Sequence, residues 1–171
     1  MEANLRIAII GYGRMGKEVE RLAREKGHTV SAIIDHKTDW KAQPLSSATC
    51  DVAIEFSTPE SAADNILKCF DSNIPVVSGT TGWQNKMEEV AKICHQKEQS
   101  LFLASNFSIG VNLFFALNRH LASMLKSMKS YQPDITEIHH VQKLDAPSGT
   151  AITLAGDIIQ SRDELKQWSH F

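Results

Sequence analysis

Nowhere do these 171 residues contain the run of about 18 apolar residues that a bilayer-crossing helix needs. A membrane span is therefore not expected. Cysteine is scarce as well: Cys50, Cys69 and Cys94 are odd in number, widely spaced and without a CxxC pair. That pattern argues against a disulfide framework and against a zinc site, and the three are read as ordinary reduced residues. Basic charge is not in excess, with 18 Lys+Arg against 20 Asp+Glu, a net charge of −2. Because the two signs are interspersed, no surface-wide field recruits nucleic acid, and an anionic ligand needs a local positive pocket. The opening MEANLRIAII holds Glu2, too few apolar residues for a signal peptide and no small-residue cleavage site, so a cytoplasmic protein is expected. Repeats and low-complexity tracts are missing, and residues 36–50, with Pro44, form the one sizeable linker-like stretch. At 42% hydrophobic the chain reads as globular, with room for one domain or one domain and part of another.

What is present is an alternation of short apolar runs with amphipathic stretches. Residues 5–10 read as a buried strand, 15–26 as a helix and 29–34 as a second strand. Further strands are expected at 51–56, 74–78 and 100–104, with helices starting near Pro59 and near Trp83. Such alternation predicts an α/β fold, a doubly wound parallel sheet covered on both faces. A long helix over about 111–128 then leads through Pro133 into a strand at 135–141. The boundary between domains is expected inside that helix or just before it.

Residues 11–16, GYGRMG, form a GxGxxG that follows the first strand and opens the first helix. Gly11 permits the tight turn, Gly13 lets the backbone approach a pyrophosphate, and Gly16 lets helix and strand pack closely. The helix N-terminus favours phosphate charge. Asp35, at the end of the second strand, can accept hydrogen bonds from the adenosine ribose hydroxyls. His36 and Lys37 follow and can meet a 2′-phosphate, so NADH and NADPH both stay open. FSTP at 56–59, SGTTG at 78–82 and SNFSIG at 105–110 also follow strands, at the carboxyl ends where open parallel sheets bind ligands. Since Ser, Thr and Asn equally favour helix caps, each of these turns reads either as pocket wall or as cap. The candidate nucleotide contacts are Gly11, Tyr12, Gly13, Arg14, Met15, Gly16, Asp35 and His36, with Phe56, Gly79, Thr80, Thr81, Ala104, Ser105, Asn106 and Phe107.

A second polar concentration lies at 137–151, EIHHVQKLDAPSGTA. Strand alternation puts Glu137, His139 and Val141 on one side and Ile138 and His140 on the other. Lys143 stands just past the strand, and Ser148, Gly149 and Thr150 sit near the N-terminus of the next helix. Free N–H groups, a hydroxyl pair and a lysine suit a carboxylate, while an imidazole titrates near neutrality and can deliver a proton. Two adjacent strand histidines point apart, and no third ligand stands at convincing spacing, so no metal is expected.

GYGRMG, FSTPE, SGTTG, SNFSIGVN and above all EIHHVQKLDAPSGTA closely resemble the 4-hydroxy-tetrahydrodipicolinate reductase (dihydrodipicolinate reductase) family, over essentially the whole chain. The resemblance implies a Rossmann-like dinucleotide-binding domain at 1–110. It implies that 111–171 begin a second, α+β mixed-sheet domain for substrate binding and oligomerisation. It further implies a homotetramer that uses NADH or NADPH to reduce a cyclic dicarboxylate in diaminopimelate and lysine synthesis. His139 and Lys143 match the family's proton-transferring residues, and His140, Gly149 and Thr150 match its substrate ligands. Ser148 joins them from the reading of the turn. Two departures stand beside this likeness: the glycine loop is one residue shorter than a GxxGxxG form, and family members continue for roughly another half-domain beyond SRDELKQWSHF. A truncated reductase, with impaired or absent catalysis, is thus one expectation. A nucleotide-binding fragment without turnover, or another amino-acid-pathway dehydrogenase on the same fold, are the rival readings.

Overall fold

The computed structural model describes residues 4–38, 40, 44–139 and 146–169. It divides into two compact units, Met1–Ala104 and Ser105–Phe171.

The first unit is built on a run that is apolar at every step but one. Strand β1 (Arg6–Ile10) is followed by helix α1 (Arg14–Glu25), strand β2 (Thr29–Ile34) and strand β3 (Val52–Glu55). Helix α2 (Pro59–Asp71), strand β4 (Val76–Ser78), helix α3 (Met87–Gln96) and strand β5 (Leu101–Leu103) complete it. All pairings are parallel, in the order β2-β1-β3-β4-β5. Neither face of β1 meets water. Ile7 and Ile9 pack with Ala23 of α1 on one side, while Ala8 and Ile10 join Ile66, Phe70, Trp83 and Val90 on the other. A strand covered on both faces has no reason to alternate with polar residues, which is why LRIAII reads as it does.

The strand order reverses at β1. From β1 the chain goes to β2 on one side and then returns to β3 on the other, and the crevice outside the carboxyl ends of β1 and β3 is where such sheets take ligands. Cys50 and Cys69 are free and buried in this core, and burial pushes the Cys69 thiol up to about 12, so it stays protonated.

The second unit contains helix α4 (Ile109–Met124) and helix α5 (Gly149–Ser161). Ser108 caps α4 by accepting from the Val111 N–H, which sets its start two residues before the expected one. The two helices are tied by Asn118 Nδ2 donating to the Leu154 carbonyl at 3.0 Å and by an Arg119–Asp157 ion pair at 3.1 Å. Buried Arg162, just past α5, reaches Glu164 and the Tyr131 carbonyl, and so fastens the start of the 131–139 segment. Of the strand expected over 135–141, the described residues 135–139 form no ladder, because no other strand of this unit stands among the described residues to pair with them. Its side chain at Ile138 is 91% exposed. Residues 140 and 141 lie outside the described residues.

Candidate functional site

At the carboxyl end of β1 the glycines have separate jobs. Gly11 has φ +88° and donates its N–H to the Ile34 carbonyl at 2.8 Å; a Cβ there would stand 2.1 Å from the Phe56 carbonyl oxygen. Only glycine takes that backbone shape without strain. A Cβ at Gly16 would meet the Gly11 oxygen at 2.1 Å, so the first turn of α1 lies directly on the loop that precedes it. Gly13 differs, with nothing among the described residues within 4 Å of its would-be Cβ. It is also the N-cap of α1, and it supplies no side chain to the first-turn N–H groups, where no acidic residue stands either. An uncapped helix N-terminus beside open space fits the pyrophosphate of a dinucleotide, by charge and by room.

Asp35 follows β2 on the same edge of the sheet. Its Oδ1 accepts from the His36 N–H at 2.8 Å and lies 3.0 Å from His36 Nδ1. The His36 side chain, then its backbone, then the Tyr12 backbone, hold this carboxyl below its usual range, so it is ionised at neutral pH. Tyr12 turns its hydroxyl to Glu20, and Lys17 lies over its ring at 5.9 Å. Arg14 and Met15 are exposed on the first turn of α1.

Phe56 and Gly79 touch: a Cβ at Gly79 would stand 2.1 Å from Phe56 Cε1. Thr80 is buried: its hydroxyl donates to Glu55 at 3.0 Å and accepts from the Ser57 N–H at 2.9 Å, while its carbonyl accepts from the Trp83 indole N–H at 2.8 Å; Thr81 is exposed. Ala104, after β5, donates to the Ser78 carbonyl at 3.2 Å. The glycine turn, Asp35, Phe56, Gly79 and Ala104 therefore share one edge of one sheet. Ser105, Asn106 and Phe107 begin the second unit, where Asn106 Oδ1 accepts from the Ser108 N–H at 2.8 Å and helps start α4. Beside β2, away from those strand ends, a cavity of about 530 Å³ is lined by Arg24, Ala32, Pro44 and Leu45.

In the second unit the focus is Glu137. Its Oε1 accepts from the Ser148 N–H at 2.8 Å, its Oε2 accepts from the Ser148 hydroxyl, and His139 Nε2 lies 3.0 Å from Oε2. These contacts, the Ser148 hydroxyl first and His139 second, hold its carboxyl at about 2, so it presents a permanent anion to the imidazole. Ser148 also accepts from the Ala151 N–H at 3.1 Å as the N-cap of α5, so its hydroxyl joins Glu137 to the start of that helix. Gly149 and Thr150 open α5, with no atom within 4 Å of a would-be Cβ at Gly149 among the described residues. A cleft of about 530 Å³ runs beside this cluster, lined by Ile135, Glu137, Pro147, Ala151, Ile152 and Trp168. His140 and Lys143 lie outside the described residues. Among the described residues no group of three or more His, Cys, Asp or Glu is placed to hold a metal ion, and no helix is long and apolar enough to cross a membrane. In the sequence Glu137 stands out only as a member of the strand, on the same side as His139 by period-2 alternation.

Residues 5–107 match the family model described as dihydrodipicolinate reductase, N-terminus, and residues 110–169 match that of its C-terminus. The chain belongs to the dihydrodipicolinate reductase family. Among curated relatives, the 4-hydroxy-tetrahydrodipicolinate reductase of Christiangramia forsetii is 46% identical over 164 residues, covering 96% of this chain and 68% of that one. The protein of the same name from Staphylococcus epidermidis is 34% identical over 168 residues, covering 94% and 67%. The chain thus spans about two thirds of the length of these dihydrodipicolinate reductases. A solved structure, dipicolinate-bound dihydrodipicolinate reductase from Paenisporosarcina sp. TG-14, is similar with a TM-score of 0.66 at 28% identity, over 98% of this chain and 70% of that one. The family is one of NAD(P)H-dependent oxidoreductases on a Rossmann-like nucleotide domain.

Proposed function

We propose that the chain reduces 4-hydroxy-tetrahydrodipicolinate to tetrahydrodipicolinate with a reduced nicotinamide dinucleotide, a step of diaminopimelate and lysine synthesis. The observation that carries the reading is the cradle at Gly13, open space beside an uncapped helix N-terminus, with ionised Asp35 at the end of the neighbouring strand. When bound, the dinucleotide supplies the hydride. The chain supplies binding, orientation and the proton. The first-turn N–H groups of α1 hold the pyrophosphate, and Asp35 accepts from the ribose hydroxyls. Because the Asp35 carboxylate suits the ribose hydroxyls of NADH while His36 and Lys37 can meet the 2′-phosphate of NADPH, both nucleotides are used.

In the second unit Gly149 and Thr150 present N–H groups that have no intrahelical acceptor, and these, with Lys143 and His140, hold the two substrate carboxylates. Hydride addition to a conjugated ring carbon releases an electron pair into the ring, and water leaves as the product forms. His139 and Lys143 meet that charge and return the proton. Glu137 is a positioning residue: its carboxylate oxygen 3.0 Å from Nε2 fixes the imidazole's orientation. The same reading carries with it a cytoplasmic setting and a homotetramer, the latter checked by light scattering on a sizing column. The direct test mixes the protein with NADH or NADPH and enzymatically generated hydroxy-tetrahydrodipicolinate and follows loss of the nicotinamide absorbance. Nucleotide bound but never oxidised would overturn the catalytic part, and no binding at all would overturn the whole.

A further inference from the structure

Glu55 ends β3 with a side chain that is 0% exposed, an expensive place for a carboxyl group unless every lone pair is used. Its Oε1 accepts from the Ser57 N–H at 3.0 Å, from the Thr80 hydroxyl at 3.0 Å and from the Ser57 hydroxyl, and its Oε2 accepts from the Ser78 hydroxyl. An apolar side chain could fill this position without that desolvation cost, so tight packing alone does not account for an acid here.

The donors are what give the cluster meaning. Glu55 and Ser57 flank Phe56, and Ser78 and Thr80 flank Gly79, so one carboxylate, itself beside Phe56, grips Phe56's other neighbour and both neighbours of Gly79. Phe56 and Gly79 are the pair whose surfaces meet, and the Phe56 carbonyl lies against Gly11. The network reaches α2 as well, where Asn65 and Ser61 donate to the Ser57 hydroxyl at 3.2 and 3.0 Å. We infer that Glu55 is a positioning residue for the nucleotide, locking the turns after β1, β3 and β4 into one preformed surface without touching the ligand. This rests on the nucleotide reading above and adds to it a residue outside the pocket wall.

Three variants test it, Glu55→Ala, Glu55→Gln and Ser78→Ala, each first checked for a cooperative urea transition. NADH dissociation constants come from fluorescence titration, and KM for both substrates from steady-state kinetics. Folded Glu55→Ala is expected to bind NADH about tenfold more weakly or worse, the loss of roughly one charge-assisted hydrogen bond's worth of ordering. Nucleotide KM rises with it while the dicarboxylate KM stays put. Glu55→Gln, which keeps one acceptor oxygen for Ser57 and Thr80, restores affinity to within about threefold. Folded Glu55→Ala that binds like the unmodified protein, or that raises both KM values alike, overturns the inference. Should that variant not fold, Ser78→Ala decides: binding weakened about threefold supports the role, unchanged binding overturns it, and failure of all three to fold makes the cluster a stability element only. Unmodified protein that binds no nucleotide sinks the underlying reading instead.

Discussion

Two glycines three residues apart should fail in opposite ways when each is given one methyl group. At Gly16 the new Cβ would stand 2.1 Å from the Gly11 oxygen, well short of the ~3.5–4.0 Å at which such atoms attract. The obstacle is backbone, so the first turn of α1 must move by about an ångström, with a strain cost of about 1–3 kcal/mol and occasionally more. Alanine's better helix propensity returns up to about 1 kcal/mol. With strain at the upper end of its range, a net loss near 2 kcal/mol lowers the melting temperature of a unit of about 100 residues by roughly 8–16 °C. At Gly13 the methyl meets nothing, and φ −78° suits alanine. The lost unfolded-state entropy and the poorer N-cap offset each other to within about 1 kcal/mol. Stability is kept, but the methyl fills the space assigned to the pyrophosphate, so NADH affinity drops at least about tenfold. Thermal melts by circular dichroism and NADH fluorescence titrations on both variants read the two effects separately. A Gly16→Ala melt matching that of the unmodified protein, or full NADH affinity in Gly13→Ala, would refute the division of labour.

His139→Ala and Lys143→Ala should each lose about 10²- to 10⁴-fold in turnover while keeping NADH affinity, and a comparable loss of binding would count against their roles. The Glu137 carboxyl, held at about 2 against an ordinary 4.5, contributes stability that is present above pH 4.5 and lost as pH falls toward 2. Glu137→Gln should therefore show a flatter dependence of melting temperature over about pH 5 to 3 than the unmodified protein, and an equally steep one would contradict the assignment. Phe70, 1% exposed between α2 and the sheet, should cost about 3–5 kcal/mol when replaced by alanine, read as a lower urea midpoint.

The first unit was legible because its information is local. Runs such as LRIAII and the punctuation by Gly11, Pro59 and Trp83 say where each element starts, and the strands differ from expectation only in their ends. β3 stops at Glu55 because Phe56 already turns toward Gly11, and β4 begins at Val76 once Pro75 has been passed. The 135–141 segment was not legible in the same way. Its composition is that of a strand, but a strand exists only beside another, and pairing is not written in any single segment. The candidate site divides likewise. The glycine turn announces itself by spacing alone, whereas Glu55 reads as one polar interruption in a buried run, with partners 23 and 25 residues away. Glu137 shares a strand face with His139, visible from alternation, yet its grip on Ser148 needs the chain to fold back across 11 residues.

The contact of the Phe56 ring with the bare backbone of Gly79 has an evolutionary corollary. Neither position can drift alone: a side chain at 79 is tolerated only in company with a smaller residue at 56, and a lone shrinkage at 56 leaves a hole that selection would refill. In a combinatorial library the two should therefore behave as one letter of the sequence, with survivors at 79 appearing almost solely in backgrounds already changed at 56.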